Sequence, residues 1–149
     1  DDSLDNINKK IDDNNINLTF IGNLSSLPKK ITSKIQKISQ KNKCASSVKL
    51  IIAWNYSGRS DILNAIRRIK TKQNISEKEL ESYLMTHNTP DPDLIIRTGN
   101  QMRISNFMLW QSAYSELYFS KKLWPEFTKK DLNNAILEFE KRKRNYGNV

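Results

Sequence analysis

The sequence predicts an α/β protein with a mostly parallel central sheet flanked by helices. Short apolar runs alternate along the chain with segments that have helical spacing, and turn-forming Gly, Asn and Pro residues stand between them. Strands that alternate with helices are joined by right-handed crossovers into parallel sheets. Because a parallel sheet is covered on both faces, we expect this fold to be incomplete without an N-terminal half or a partner chain.

The first half of the chain is expected to contain two strands and three helices. The second strand is a nearly continuous apolar run, suited to burial on both faces. The first two helices carry Ile or Ala at helical spacing, and the third opens with a capping-box pair, Ser76 and Glu79. In chain order, these elements are a strand over 18–21, a helix over 28–41, a strand over 48–54 and helices over 61–69 and 76–85.

The second half is expected to continue the alternation after a breaker at residues 90–92, Pro-Asp-Pro. Its elements are a buried strand over 94–96, a helix over 107–115, a short strand over 117–119 and a final helix over 128–146. Residues 1–17 are rich in Asp and Asn and are expected to form a polar lead-in or loop.

Composition and charge exclude several classes of protein. Lys and Arg total 25 against 16 acidic residues, giving a formal net charge of +9. No zinc spacing or nucleic-acid motif accompanies this surplus, so we expect solvated surface and no nucleic-acid partner. Single residues, Cys44 and His87, leave little for a disulfide framework, a zinc site or a serine-type triad. With no membrane-spanning run and no signal-peptide pattern, an intracellular protein is expected, cytoplasmic or peripheral at a membrane surface.

The stretch 93–116 combines residues suited to binding an anion. Arg97 stands at the end of a predicted strand, Arg103 follows in a loop, and Ser105 stands where a helix would be capped. Two guanidinium groups, a hydroxyl and a helix start would then face one crevice at the carboxyl end of a strand. Such a crevice suits a phosphate or diphosphate. The alternative is that the arginines are solvated charges and Ser105 is only a cap.

The same stretch resembles the C-terminal signature of the cis-prenyltransferases, the undecaprenyl and dehydrodolichyl diphosphate synthases. The similarity extends in unbroken order over about 18–147, so the chain is identified as the C-terminal part of such a synthase, residues 18–149. Other segments that resemble the family's motifs are Phe20–Asn23, Asn55–Arg59 and Leu123–Phe127.

The resemblance implies a role for each matched residue. Arg97, Arg103 and Ser105 would bind the diphosphate of isopentenyl diphosphate, and Glu116 would help to bind Mg²⁺. In a continuous helix Glu116 would lie ~16 Å beyond Ser105, and the family's arrangement explains this, because the carboxylate completes the site of the other subunit in a dimer. The alternative is an ordinary helix-end carboxylate. Met102 replaces a metal-assisting His of some members and is a poor ligand for Mg²⁺.

The implied activity is prenyl chain elongation, the cis-condensation of isopentenyl diphosphate onto an allylic diphosphate such as farnesyl diphosphate to give a polyprenyl diphosphate. The implied partners are a second copy or a related subunit, and a membrane surface that the basic residues 141–144 could contact. No run in these residues resembles the family's N-terminal diphosphate loop. We therefore expect no catalytic residue in this chain and no activity from it alone. The alternative is a non-catalytic supporting subunit or an inactive fragment.

Overall fold

The computed structural model describes residues 16–41, 48–70 and 73–143 of the chain. The chain divides into two compact units, residues 1–86 and 87–149. The described parts contain four strands and four α-helices, and the predicted α/β class with parallel strands flanked by helices is confirmed. In chain order they are β1 (Ile16–Gly22), α1 (Lys29–Lys41), β2 (Val48–Trp54), α2 (Gly58–Arg68), α3 (Glu77–Tyr83), β3 (Leu94–Arg97), β4 (Glu116–Phe119) and α4 (Lys129–Glu140).

In the first unit, β1 and β2 pair in parallel along their whole length. The predicted amphipathic character of α1 is confirmed, because Ile35 and Ile38 are buried while the intervening Gln36 and Lys37 are exposed. Ile38 forms a small core with Leu18 of β1. The apolar residues that pack against this core are Ile16, Phe20 and Ile52.

Caps decide where the other two helices of this unit begin. α2 starts three residues earlier than predicted, because Ser57 is its N-cap and accepts a hydrogen bond from the Ser60 amide. Ser76 caps α3 in the same way and accepts from the Glu79 amide at 3.2 Å, as half of the predicted capping box requires. At each helix start, one backbone amide that has no partner within the helix is thereby satisfied.

The prediction that β2 is buried on both faces is wrong for this chain. Val48 is 72% exposed, Leu50 44% and Trp54 46%. In the described part of the chain β2 pairs only with β1, so one edge of the strand and much of its apolar surface remain uncovered. The exposed surface agrees with the expectation that this sheet needs further chain to complete it.

In the second unit, β3 and β4 pair in parallel, and α4 follows them. Thr128 and Asp131 form a capping box at the start of α4. The helix ends at Glu140, earlier than the predicted 128–146, because the next two amides bond back to the Glu138 and Phe139 carbonyls and close the last turn. Residues 144–146 of that prediction lie outside the described residues.

The remaining observations concern two single residues and the start of the chain. His87 is exposed, and Cys44 lies outside the described residues. Of the predicted lead-in, residues 1–15 also lie outside them, and residues 16–17 belong to β1.

Candidate functional site

The end of β3 brings together two of the predicted site residues. Arg97 is the last residue of the strand and pairs with Phe119 of β4. Its Nη1 group donates to the Ser105 hydroxyl at 2.8 Å and to the backbone carbonyl of Arg103. The Arg97 side chain therefore crosses the base of the loop that carries the other two site residues.

Hydrogen bonds to the segment after β4 fix the base of this loop. The Gly99 amide donates to the Lys122 carbonyl at 2.7 Å, and the Asn100 amide donates to the Ser120 carbonyl at 2.9 Å. Gly99 and Asn100 have φ angles of 90° and 57°, the left-handed region that Gly and Asn tolerate best. The chain therefore turns directly after the strand, into the loop that the sequence predicted.

The predicted helix over 107–115 is wrong, and so is the role of Ser105 as its cap. Ser105, Asn106 and Met108 have φ angles of 47°, 64° and 45°, which interrupt a right-handed helix. The chain forms successive turns instead, with amides bonding to carbonyls three or four residues back. Without a helix start at this point, attraction of an anion depends on the guanidinium groups and the hydroxyl.

Arg103 presents its charge to solvent. Its side chain is exposed, and within the described residues its guanidinium takes part in no hydrogen bond or ion pair. Five N–H donors are thus available to a ligand. Arg97 is partly engaged by the loop and Arg103 is not, so the two arginines would contribute differently, one ordering the loop and the other binding from it. The neighbouring Met102 is 81% exposed.

Glu116 lies at the opposite end of the strand pair. It opens β4 opposite Leu94, whereas Arg97 lies at the far end opposite Phe119. Three residues of strand correspond to about 10 Å. Glu116 is therefore separated from the loop that carries Arg103 and Ser105 (the arginine loop) by the length of a strand. The sequence prediction had attributed this separation to a helix between Ser105 and Glu116.

The carboxylate of Glu116 is already paired. Arg142 Nη1 donates to Glu116 Oε2 at 2.8 Å, and Arg142 Nη2 donates to Glu138 Oε1 at 2.7 Å. The hydrogen bonds to Glu116 first and to Glu138 second raise the pKa of Arg142 above its ordinary value. The sequence analysis included Arg142 only in the basic segment 141–144 and did not pair it with Glu116, because 26 positions separate the two residues.

The donors present fit Mg²⁺ only in a limited way. Across residues 16–41, 48–70 and 73–143, no group of three or more His, Cys, Asp or Glu side chains could hold a metal ion. Glu116 offers a hard carboxylate oxygen, since within the same residues only Oε2 accepts a hydrogen bond. Mg²⁺ commonly binds proteins through one or two carboxylates together with substrate phosphates. Glu116 suits that kind of site, and a diphosphate would have to provide further oxygens.

Lys122, whose carbonyl holds the arginine loop, is itself tied to α4. Its Nζ group lies 2.8 and 2.9 Å from the two carboxylate oxygens of Asp131. Asp131 also accepts from the Thr128 amide and hydroxyl. These bonds, with Lys122 the largest cause, hold the pKa of Asp131 well below its ordinary value.

The first unit contains a polar cleft of about 530 Å³ where β1 and β2 end and α2 begins. At its wall Asp61 is only 2% exposed, and it accepts from the Tyr56 hydroxyl at 2.9 Å and the Met85 amide at 3.0 Å. The sequence prediction gave Asp61 no role. A signal was present in its spacing, because Asp61, Ala65 and Ile69 follow one another at intervals of four on the buried face of α2. The other lining residues are Gly22, Asn23, Asn55, Ser57, Ser60, Leu63, Asn64 and Arg67.

The helices among the described residues are too short or too polar to cross a membrane. Fold and loop together define an α/β protein with parallel strand pairs and a loop bearing two arginines and a serine at the carboxyl end of a strand, where such proteins bind ligands.

Comparison with known proteins identifies the family. The prenyltransferase family model, described as undecaprenyl diphosphate synthase, matches residues 1–147. An isoprenyl transferase of Thermotoga maritima is 46% identical over 140 residues, which cover 90% of this chain and 60% of that protein. The chain belongs to the cis-prenyltransferase family. It spans between 55% and 63% of the length of the curated relatives that it matches.

Two solved structures agree with this assignment. A probable undecaprenyl diphosphate synthase from Campylobacter jejuni is similar with a TM-score of 0.86 and 37% identity, over 98% of this chain and 70% of that one. Lavandulyl diphosphate synthase from Lavandula x intermedia, in complex with dimethylallyl diphosphate, is similar with a TM-score of 0.91 and 33% identity, over 99% and 67% of the two chains.

Proposed function

We propose that this chain carries the isopentenyl diphosphate site of a cis-prenyltransferase, with Arg97, Arg103 and Ser105 binding the diphosphate. The observation that supports the proposal most directly is the contact of the Arg97 guanidinium with the Ser105 hydroxyl and the Arg103 carbonyl. One side chain thereby orders the loop that carries the other two residues. Guanidinium forks match the oxygens of a diphosphate and bind it with charge-assisted hydrogen bonds.

The reaction proposed for the whole enzyme joins isopentenyl diphosphate to an allylic diphosphate such as farnesyl diphosphate. A carbon–carbon bond forms between the alkene of isopentenyl diphosphate and the allylic carbon, and the bond from that carbon to its diphosphate breaks, so that inorganic diphosphate leaves. Loss of a proton then restores a double bond in the lengthened chain. The arginines would act by holding isopentenyl diphosphate so that its double bond faces the reacting carbon. Orientation of this kind can account for a large part of the acceleration of a bimolecular step.

Mg²⁺, when bound, would neutralise charge on the departing diphosphate. Glu116 is the residue proposed to bind it, through the carboxylate oxygen that accepts no hydrogen bond within the described residues. Because Glu116 and Arg97 lie at opposite ends of the strand pair, one chain would not bring them to the same diphosphate directly. The proposal therefore includes a second subunit, identical or related, whose site Glu116 completes.

The test is calorimetric titration of the 149-residue chain with isopentenyl diphosphate, with and without Mg²⁺. Arg103→Ala should weaken binding roughly tenfold or more, because hydrogen bonds to charged groups contribute about 1.5–3 kcal/mol. Arg103→Lys should restore only part of the affinity, since a point charge cannot reproduce the fork. Lys130→Ala, which removes an exposed charge from α4, should leave the affinity within about twofold of wild type by comparison.

If Arg103→Ala and Lys130→Ala lost affinity for isopentenyl diphosphate equally, the effect would be one of overall charge. That result would contradict the proposed site. In an enzyme that turns over, Arg103→Ala should raise the KM for isopentenyl diphosphate far more than the KM for the allylic substrate. An equal rise in both would contradict the assignment of Arg103 to isopentenyl diphosphate.

A further inference from the structure

Arg142, just beyond the end of α4, connects that helix to the start of β4. Its Nη1 group donates to Glu116 Oε2 at 2.8 Å and to the Leu117 carbonyl at 2.9 Å, while Nη2 donates to Glu138 Oε1 at 2.7 Å. The Arg142 and Glu116 side chains are 29% and 28% exposed, so the contact is half-buried. Charge-assisted hydrogen bonds in such surroundings are stronger and better defined than those of exposed ion pairs.

We propose that Arg142 is a positioning residue for Glu116, an inference that rests on the proposed role of Glu116 in binding Mg²⁺. Arg142 holds Oε2 and leaves Oε1 to face a cation. A glutamate side chain rotates about several bonds, and restraining it before the cation arrives removes an entropic cost of binding. Glu116 would thus act through one oxygen in a fixed orientation, as a ligand supported by a neighbouring hydrogen bond commonly does.

The charge of this cluster also favours a cation. One guanidinium lies between the carboxylates of Glu116 and Glu138, so the three side chains together keep one negative charge. Glu138 is the more exposed of the two carboxylates, with 54% of its side chain accessible, and it bonds to a different nitrogen of the guanidinium than Glu116 does. Arg142 can therefore orient Glu116 without cancelling the negative charge of the cluster.

The three acceptors require an arginine. They are two carboxylates and a backbone carbonyl, reached by two different nitrogens of one planar group. A lysine ammonium is a compact point charge on a flexible stem and cannot hold this arrangement. The conservative variant Arg142→Lys therefore separates orientation from charge.

The test uses the 149-residue chain at a concentration at which size-exclusion chromatography shows a dimer, because Glu116 is proposed to complete the site of a second subunit. Binding of Mn²⁺, a spectroscopic substitute for Mg²⁺, is measured by electron paramagnetic resonance with inorganic diphosphate present. Arg142→Ala should weaken Mn²⁺ binding about tenfold, the lower end of what removal of a supporting hydrogen-bond partner costs a metal site. Arg142→Lys should not restore it. Lys141→Ala, which removes the same charge from the adjacent exposed position, should bind Mn²⁺ like wild type.

A double variant separates positioning from a general effect on the fold. In a Glu116→Gln background, Arg142→Ala should cause no further loss of Mn²⁺ binding, whatever it does to the melting temperature. The proposal is overturned if Arg142→Ala lowers the melting temperature but leaves Mn²⁺ binding unchanged. It is also overturned if Arg142→Ala weakens Mn²⁺ binding as much in the Glu116→Gln background as in wild type, or if it tightens Mn²⁺ binding, as removal of a competing cation would. If Glu116→Gln itself leaves Mn²⁺ binding unchanged, the proposed metal role of Glu116 fails and this inference fails with it.

Discussion

At the scale of single residues, Gly22 and Gly99 share a backbone conformation but not an environment. Their φ angles are 98° and 90°, in the region where an L side chain is strained. A Cβ atom added to Gly22 would lie 2.1 Å from the Trp54 carbonyl oxygen, which is backbone, whereas nothing lies within 4 Å of one added to Gly99. Gly22 is therefore required for the close approach of the end of β2, and Gly99 only for its turn.

This difference predicts unequal costs for the same substitution. Gly99→Ala should lower the free energy of unfolding by about 1–2 kcal/mol, the cost of the left-handed backbone conformation. Gly22→Ala should cost at least about 1 kcal/mol more, since overpacking against backbone adds to that strain. Urea unfolding followed by circular dichroism compares them, and a Gly22→Ala chain already unfolded in buffer would agree. Equal midpoints for the two variants would show that the contact with Trp54 is relieved cheaply.

The contacts that residues make across the chain were predictable only in part. Arg97 and Ser105 were expected to lie together, and they do, because a strand end and its own loop are close in sequence. Asp61 was given no role, and Arg142 was expected only to contribute to the basic segment 141–144. Their partners, Met85 and Glu116, are 24 and 26 positions away, and one sequence gives no signal for pairs at that distance.

At the scale of elements, the first turn of α4 has a pH dependence that can be measured. Its carboxylate, Asp131, has a pKa lowered from an ordinary 3.8 by Lys122 first and by Thr128 next. The folded chain therefore keeps this group charged at a pH where the unfolded chain protonates it. The stability that results is fully present above pH 3.8 and is lost as the pH falls further toward the folded-state value.

Asp131→Asn should accordingly be less stable than wild type at pH 7 and should lose less stability than wild type when the pH falls below about 4. Thermal unfolding between pH 7 and 2 measures how steeply the stability of each protein changes with pH. Lys122→Gln, which removes the largest cause of the lowered pKa, should give an intermediate slope. Parallel stability curves for wild type and Asp131→Asn would contradict this account.

Elements were predictable where the signal was local. The strand over 48–54 has the predicted bounds, and α3 begins at its predicted cap, Ser76. The final helix also begins where it was expected, and the structure shows that Thr128 caps it. The helix expected over 107–115 failed because its apolar residues fit helical spacing while the backbone turns left-handed at Ser105, Asn106 and Met108. The spacing of apolar residues indicates which side chains could share one face of a helix. It contains no information about the hydrogen bond from the Arg97 side chain to this loop.

At the scale of the whole molecule, the exposed surface of β2 and the matched share of the relatives have a common interpretation. Val48, Leu50 and Trp54 present apolar area that a parallel sheet normally covers. The curated relatives matched are longer, with 55–63% of their length aligned to this chain. We infer that additional polypeptide from the same fold covers β2 in a working enzyme. It could belong to the same chain or to a partner subunit.

A last prediction concerns activity. The 149 residues contain no run that resembles the family's N-terminal loop for the allylic diphosphate, while they keep Arg97, Arg103, Ser105 and Glu116. We therefore expect the purified chain to bind isopentenyl diphosphate but to form no polyprenyl diphosphate from labelled isopentenyl diphosphate, farnesyl diphosphate and Mg²⁺. A cis-prenyltransferase of established activity on these substrates, assayed in parallel, controls for the substrates and the extraction of product.

The binding and turnover measurements together decide between the alternatives. Binding without turnover is the result expected of a chain that holds one of two substrate sites. If a complementary chain that carries the missing loop restores turnover, Arg103→Ala in this chain should abolish most of the restored activity, because a merely supporting subunit would not need its diphosphate donors. Turnover that is restored equally well by the Arg103→Ala chain would favour the non-catalytic supporting role. Clear product from the unaided chain would show that the loop is dispensable and overturn this prediction.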